Sequence, residues 1–299
     1  MYELNIKTKK KIGIGKAHSK IILMGEHSVV YGYPAIAIPL KEIKTICKIT
    51  KSNKKLEFNY NDTLSMAVYY ALKYIKIRNA YIKYEVDSEI PSRRGMGSSA
   101  AVSIAAIRSV FDYYNQKLTY KILTYLVNKA EKVAHGNPSG LDAKTCMSNK
   151  AIKFIKNKGL SMIDLDLNAY LLIADTGIYG QTKEAVEKVK ELGEKAIPIF
   201  GNIGLFTNEV EKNIREKNLK LIGENMTNAH EELKKLGVSC KKSDNFVEKA
   251  IENGALGAKM SGGGLGGCVI VLIENEEKVK KIKEKLKKLG AVRIWIEKL

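Results

Sequence analysis

A short glycine-serine segment, Gly-Met-Gly-Ser-Ser at residues 95–99, stands directly before an apolar helical pattern at residues 102–114. Glycine lets the backbone take positive φ angles and approach a ligand closely. A serine at a helix start can cap it, and the N–H groups and positive dipole end there attract anions. The segment predicts a phosphate-binding loop with Ser98 or Ser99 as the cap. The alternative is an ordinary glycine-serine turn.

A second glycine run, at residues 262–267, contains the spacing G-x-G-x-x-G of dinucleotide-binding sites. That motif follows a strand and opens a helix. Here a predicted helix at 243–253 comes before the run and a predicted strand at 269–273 follows, so we reject a dinucleotide site. The run is interpreted as a backbone wall where substrate and phosphates meet, with a tight β-turn as the alternative. The phosphate motif G-x-x-x-x-G-K-[ST] and the protein-kinase motifs do not occur in the sequence.

A change in the pattern of predicted elements places a domain boundary near residue 180, which divides the chain into residues 1–180 and 181–299. The first part mixes strands with helices, predicted as strands 20–24, 45–50, 81–86 and 171–174 and helices 63–77, 102–114 and 118–134. The second part is dominated by long amphipathic helices, predicted at 182–193, 197–216, 219–236, 243–253 and 276–289, with strands at 269–273 and 291–296.

Three charged residues suit phosphoryl transfer. Asp142 closes a loop of turn-forming residues at 135–142, and a carboxylate beside an acceptor hydroxyl can orient it and take its proton. Lys20, on the first predicted strand, can pair with Asp142 and offset phosphoryl charge. Glu131 can be a carboxylate ligand for Mg²⁺. The simpler alternatives are a capping aspartate, a surface lysine and a solvated helix glutamate.

The chain has 51 lysines and arginines against 32 acidic residues, a net charge of +19. Many lysines stand beside glutamates in helical patterns, and no basic stripe is interleaved with aromatic residues. We therefore assign the charge to solvated helix faces and to attraction of anionic substrates. The four cysteines are scattered, which predicts neither disulfides nor a zinc site. With no long apolar stretch and no secretory leader pattern, we expect a cytoplasmic protein without a membrane partner.

In this order, the segments resemble the GHMP kinase family over about residues 17–268. Residues 91–101 are similar to its ATP-binding motif P-x-x-x-G-L-G-S-S-A-A, with methionine in place of leucine, and residues 259–268 are similar to its C-terminal glycine-rich motif. Residues 25–32 and 135–142 most resemble the members that phosphorylate mevalonate.

The chain departs from the family pattern at two places. The family's first motif usually reads Ala-Pro-Gly-Lys, whereas residues 17–20 read Ala-His-Ser-Lys. Lys20 is kept, while the backbone preferences of the turn before it change. Ser261 stands where the family usually has threonine, a change that keeps the hydroxyl.

The resemblance implies a two-domain α+β GHMP kinase fold, with an N-terminal domain like the second domain of ribosomal protein S5 and a ferredoxin-like C-terminal domain. It implies ATP as co-substrate, Mg²⁺ as cofactor, Asp142 as catalytic base and Lys20 as its partner. Mg²⁺ would be held by Ser99 (or Ser98) and Glu131. The implied ATP-binding residues are Pro91, Arg94, Gly95, Met96, Gly97, Ser98, Ser99, Ala100 and Ala101. The implied mevalonate-binding residues are Glu26, His27, Thr182, Ser261, Gly262 and Gly263.

Two alternatives stay open from the sequence. One is another GHMP kinase, acting on phosphomevalonate, homoserine or a sugar, which residues 25–27 and 135–142 disfavour. The other is a basic RNA-binding module with an S5-like fold, which predicts steeply salt-dependent RNA affinity. The expected partners are ATP and mevalonate, without nucleic acid or membrane, and a homodimer is left open.

Overall fold

The computed structural model describes residues 10–135 and 140–299, excluding the side chains of residues 134 and 135. Its strands are β1 Ile12–Met24, β2 Ala35–Lys51, β3 Ile82–Ser88, β4 Ala151–Ile155, β5 Gly159–Ile163, β6 Tyr170–Asp175, β7 Gly257–Ser261, β8 Cys268–Ile273 and β9 Arg293–Lys298. Its α-helices are α1 Thr63–Tyr74, α2 Ser98–Tyr113, α3 Tyr120–His135, α4 Leu141–Cys146, α5 Thr182–Glu191, α6 Ala196–Arg215, α7 Leu219–Lys235, α8 Lys241–Glu252 and α9 Glu276–Lys288. The predicted α+β class is confirmed.

The described residues form two compact units, and each unit is built from several separate segments of the chain. The first unit contains the described residues of Met1–Lys20, Pro39–Pro91 and Gly97–Asn149. The second unit contains the described residues of Ile21–Ile38, Ser92–Met96 and Lys150–Leu299. Strands β1 and β2 therefore contribute to both. The division of the chain near residue 180 stays a prediction.

In the first unit, strand β1 lies directly on helix α2. A Cβ atom on Gly15 would lie 1.9 Å from the carbonyl oxygen of Ala105, and one on Gly13 would lie 2.4 Å from Cβ of Tyr113. Only glycine permits this approach of strand and helix backbones. The contact places the start of α2 beside the end of β1, where Lys20 lies. The sequence predicted only the end of this strand, because alternating glycines carry no apolar signal.

The second unit contains an antiparallel sheet in the order β7-β8-β6-β9. Strands and helices follow one another as in a ferredoxin-like domain, with additional helices between β6 and β7. Helices α8 and α9 pack on one face of the sheet. The core there is formed by apolar side chains that include Leu172, Phe246, Val271 and Ile282.

Strand β7 corrects one expectation about the second glycine run. A strand, and not helix 243–253, comes directly before the run, which is the turn joining β7 to β8, with Ser261 opposite Cys268. The pattern missed β7 because its sequence, Gly-Ala-Lys-Met-Ser, has no β-branched or aromatic residue. The run still opens a strand and not a helix, so the dinucleotide motif remains rejected.

The α-helices among the described residues include none that is both long and apolar enough to cross a lipid bilayer.

A buried histidine on α7 makes the stability of the second unit depend on pH. The side chain of His230 is 1% exposed; its Nδ1 atom accepts a hydrogen bond from the Met260 N–H (3.3 Å), and Nε2 lies 3.2 Å from Asp244 Oδ1. Burial lowers the pKa of His230 to about 4, outweighing the opposing effect of Asp244. The imidazole is therefore neutral at pH 7.

We expect His230→Gln to flatten the dependence of unfolding free energy on pH. The unfolded chain binds a proton at this residue below about pH 6.5, whereas the folded chain binds it only near pH 4. Stability that is complete above pH 6.5 is therefore lost as the pH falls toward 4, by on the order of 3 kcal/mol. Urea unfolding at pH 7.5 and 4.5 measures the loss for each protein. Equal losses in the variant and the unmodified chain would contradict the assignment.

Candidate active site

A buried lysine and a half-exposed aspartate form an ion pair in the first unit. Lys20 Nζ lies 2.7 Å from Asp142 Oδ1, with side-chain exposures of 1% and 43%. Lys20 is therefore not a surface lysine, and the pair that the sequence predicted is present. The ammonium group is buried, whereas the carboxylate remains partly open to solvent.

The glycine-serine segment at residues 95–99 packs against this ion pair at Gly97. This residue is the N-cap of α2 and has a φ angle of 71°, in the left-handed region that favours glycine. A Cβ atom on it would lie 2.9 Å from Lys20 Cγ and 3.1 Å from Cys146 Sγ. A larger residue would displace Lys20, so the loop and the ion pair are packed as one arrangement.

The predicted serine cap of α2 is wrong. The helix begins at Ser98, and the described contacts include no side-chain hydrogen bond that caps its N-terminus. The cap position takes the left-handed conformation, which glycine adopts without steric cost, so both serines lie in the first turn. The first N–H groups of a helix have no intrahelical acceptor, and they remain the feature of this segment suited to phosphate oxygens.

Ser99 and Glu131 contact each other on neighbouring helices of the first unit. Ser99 Oγ donates a hydrogen bond to Glu131 Oε1 at 2.7 Å, and Glu131 is 5% exposed. Glu131 is therefore not a solvated helix glutamate. A carboxylate and a hydroxyl are oxygen ligands of the kind that Mg²⁺ takes when it also binds substrate phosphates and water. The described residues contain no group of three or more His, Cys, Asp or Glu side chains that could hold a metal ion.

The loop that leads to Asp142 is described only at its end. Residues 136–139 of the predicted 135–142 segment lie outside the described residues. Gly140, with a φ angle of 81°, is the N-cap of α4, and Asp142 lies in the first turn of that helix.

In the second unit, Glu26 and Lys259 form a fully buried ion pair. Their side chains are 1% and 0% exposed, and Lys259 Nζ donates to Glu26 Oε1 and to the Met260 carbonyl (2.8 Å). Burial lowers the pKa of Lys259, and Glu26 opposes that change. Glu26 Oε2 is buried without a hydrogen-bond partner among the described residues. Because such an oxygen is costly to leave unsatisfied, it suits a hydrogen-bond donor on a ligand.

His27 presents a second unsatisfied polar atom beside Glu26. Its Nε2 atom is buried and has no hydrogen-bond partner within the described part of the chain. Burial lowers the pKa of His27 to about 4, the hydrogen bond with the Gly263 backbone opposes this shift, and Lys259 adds to it. The ring is therefore neutral at pH 7. Glu26 and His27 together offer unsatisfied polar atoms suited to a small polar ligand.

The two glycine-containing segments of the second unit touch backbone to backbone. Gly95 and Gly262 have φ angles of 76° and 92°, and a Cβ atom on Gly262 would lie 2.5 Å from Gly95 Cα. A Cβ atom on Gly263 would lie 2.0 Å from Thr182 Oγ1. Glycine is therefore required at both positions of the run, and Gly95, Gly262, Gly263 and Thr182 are brought together.

The hydroxyl of Ser261 already makes two hydrogen bonds within the protein. Ser261 Oγ donates to the Ile22 carbonyl at 2.8 Å and accepts from the Ile22 N–H at 3.2 Å. These bonds fix β7 to the end of β1, and they leave one lone pair of the hydroxyl for any ligand.

Arg94 also interacts with other side chains of the second unit. Its Nε atom lies 2.7 Å from Asp175 Oδ1, and its guanidinium lies 4.3 Å from the centre of the Tyr179 ring. Its charge is therefore already balanced within the second unit. Among the remaining predicted ATP-binding residues, Met96, Ala100 and Ala101 are buried and Pro91 is partly buried.

Sequence reasoning missed Lys259 and Asp175 as the partners of Glu26 and Arg94. The only signal for Lys259 was its place at the head of the second glycine-rich segment. In a chain with 51 lysines and arginines, one more lysine carries no information about burial.

Two family models match the chain. The model for the GHMP kinases N terminal domain matches residues 63–150, and that for the GHMP kinases C terminal matches residues 210–292. The first match includes the start of α2, Glu131 and Asp142, and the second includes the glycine run of the second unit.

Archaeal proteins of known name are similar over nearly the whole chain. Mevalonate kinase of Pyrococcus furiosus is 31% identical, covering 89% of this chain and 90% of its own. Mevalonate kinase of Methanocaldococcus jannaschii is 33% identical, covering 90% and 94%. The crystal structure of the Methanococcus jannaschii mevalonate kinase superposes with a TM-score of 0.82 at 30% identity, covering 98% of this chain and 99% of that one.

Proposed function

The chain belongs to the GHMP kinase family, and we infer that it transfers the γ-phosphoryl group of ATP to the C5 hydroxyl of (R)-mevalonate. The products are 5-phosphomevalonate and ADP. The observation that carries this function is the ion pair between buried Lys20 and the partly exposed carboxylate of Asp142, beside the glycine-capped start of α2. The similarity to mevalonate kinases over about nine-tenths of the chain supports mevalonate as the acceptor.

Asp142 orients the C5 hydroxyl and accepts its proton as the oxygen attacks phosphorus. Phosphoryl transfer passes through a loose transition state, so the protein acts mainly by positioning groups and balancing charge. Lys20 holds the Asp142 side chain in place through their ion pair and offsets negative charge on the transferred group. The carboxylate lies 2.7 Å from the buried ammonium group and is 43% exposed, so it can meet the hydroxyl of a bound acceptor.

The N–H groups at the start of α2 hold phosphate oxygens of ATP, and Gly97 allows this approach. Ser99 and Glu131 hold Mg²⁺ together with the phosphates. When bound, the ion neutralises charge that develops on the phosphate oxygens.

Glu26 and His27 recognise mevalonate. Glu26 Oε2 accepts a hydrogen bond from a hydroxyl of the acceptor, and neutral His27 uses Nε2 for another polar group. Thr182, Ser261, Gly262 and Gly263 complete the acceptor site in the second unit, where the two glycines permit the close contacts with Gly95 and Thr182. We expect the reaction in the cytoplasm, since both substrates are charged and water-soluble.

Product analysis tests the function. The full chain with Mg-ATP and (R)-mevalonate should form ADP and a phosphate monoester at C5 in equal amounts, visible by phosphorus NMR. A phosphate ester at another position, or ADP release that does not depend on mevalonate, would contradict the proposal.

Glu131→Gln should raise the Mg²⁺ concentration needed for half-maximal activity by about tenfold or more, because an amide lacks the charge of a carboxylate. A Mg²⁺ titration of ADP release measures this. Glu85→Gln is the matched control, since it removes an exposed carboxylate in the same unit. Identical titrations for both variants would remove Glu131 from the metal site.

A further inference from the structure

The turn that carries Glu26 and His27 has a strained backbone at His27. This residue has a φ angle of 60° and a ψ angle of −47°, and the Ser28 N–H donates to the Glu26 carbonyl at 2.7 Å. These values are close to those of the rare, strained form of the γ-turn. A residue other than glycine keeps such a conformation only where the surrounding structure holds it. The contacts of this segment therefore determine how the turn meets a ligand.

Backbone hydrogen bonds within the segment between β1 and β2 set its local shape. The Val29 N–H donates to the Gly25 carbonyl at 3.2 Å, and the Tyr33 N–H donates to the Ser28 carbonyl at 3.4 Å. Because these bonds join residues of one short segment, they do not fix its place in the second unit.

Aromatic side chains pack the same segment against helix α6. The ring of Tyr31 stacks on that of Phe200, with 4.4 Å between the ring centres and 21° between the ring planes. Phe200 is 3% exposed and belongs to an apolar cluster of the second unit, so it is a fixed partner. The Tyr33 ring centre lies 6.2 Å from that of Phe200. Stacked aromatic rings stabilise each other beyond the area that they bury.

We propose that Tyr31 and Phe200 are positioning residues for the acceptor substrate. Their stack holds the strained turn in the form that presents Glu26 Oε2 and His27 Nε2 to mevalonate. The inference rests on the proposed function, which assigns the acceptor to this turn. Without the stack the turn relaxes for part of the time, and the apparent affinity for the acceptor falls with the fraction of molecules that keep the binding form. The groups proposed to bind ATP in the first unit are not part of this turn.

Steady-state kinetics of Tyr31→Ala test the proposal. The side chain is 48% exposed, so we expect the variant to fold, and an unchanged melting temperature checks this. The KM for mevalonate should rise about tenfold, which corresponds to about 1.4 kcal/mol. The KM for ATP and kcat at saturating mevalonate should change less than about twofold, because only binding of the acceptor is weakened. Tyr31→Phe keeps the ring and should keep the KM of the unmodified chain.

Tyr74→Ala is the matched control. Tyr74 is 46% exposed, and its ring centre lies 6.1 Å from that of Phe111, a buried phenylalanine of the first unit. This variant should keep both KM values. The proposal would be overturned by a mevalonate KM for Tyr31→Ala no higher than that of the control. An equal rise in both KM values, or a Tyr31→Phe variant as weak as Tyr31→Ala, would also overturn it.

A double variant tests whether Tyr31 acts through Phe200. Phe200→Leu removes the aromatic ring and keeps an apolar side chain in the cluster. In that background Tyr31→Ala should raise the mevalonate KM little further, because both changes remove the same contact. A further rise as large as that in the unmodified chain would overturn the proposal.

The unmodified chain distinguishes this inference from the proposed function. If it does not phosphorylate mevalonate, the proposed function fails, and the positioning role fails with it. If it does so while Tyr31→Ala behaves like Tyr74→Ala, the positioning role alone fails.

Discussion

Asp142→Asn is expected to lower kcat about a thousandfold while leaving the dissociation constant for ATP nearly unchanged. The amide keeps the size of the side chain but cannot take the proton of the acceptor hydroxyl, and a positioned general base contributes roughly 10²- to 10⁴-fold. The start of α2, where the phosphates are proposed to bind, is unaltered. Steady-state kinetics and a nucleotide titration measure the two quantities.

Asp166→Asn is the matched control for this change. Asp166 also forms a lysine pair, with Lys217 Nζ 2.6 Å away, but the side chain is 88% exposed. Its variant should keep full turnover. If Asp142→Asn kept a kcat close to that of the control, Asp142 would not be the base.

Lys259→Met should produce the largest loss of stability. Removing the lysine leaves the carboxylate of Glu26 buried at 1% exposure without its counter-charge. Breaking a buried ion pair by deleting one partner costs about 3–5 kcal/mol. Urea unfolding at pH 7.5 measures the loss. Turnover should fall as well, because Glu26 is proposed to bind the acceptor.

A double variant separates the contribution of the ion pair to stability from the contribution of lysine side-chain packing. Lys259→Met with Glu26→Gln removes both charges, so it should be clearly more stable than Lys259→Met alone. Lys249→Met is the control at an exposed pair, where Lys249 lies 2.7 Å from Glu252, and it should leave the free energy of unfolding nearly unchanged. If Lys259→Met lost as little stability as Lys249→Met, the buried carboxylate of Glu26 would not depend on Lys259 for its counter-charge.

The sequence predicted the parts of the site that local patterns encode. The glycine-serine segment before an apolar helix indicated the start of α2, and Asp142 was found because it closes a loop of turn-forming residues. The pairing of Lys20 with Asp142 was also predicted, although 121 residues separate them in the chain. The family resemblance, confirmed by the matched models and relatives, supplied the two-domain fold. The roles of the individual site residues stay predictions.

The parts that the sequence missed depend on tertiary contacts. The sequence contains many charged residues and does not show that Lys20, Glu131 and Lys259 are the buried ones. The serine cap of α2 was wrong because a left-handed glycine cap gives the same sequence pattern. Strand β7 has no strand-forming residues and exists because β8 pairs with it.

Release of ADP with Mg-ATP and a panel of acceptors tests the central claim most directly. The panel contains (R)-mevalonate, phosphomevalonate, homoserine and galactose, each at saturating concentration with the full chain. We expect rapid turnover with mevalonate and background rates with the other three. Turnover that favours another acceptor, or silence with mevalonate from folded protein that binds ATP, would contradict the assignment of this site to mevalonate phosphorylation.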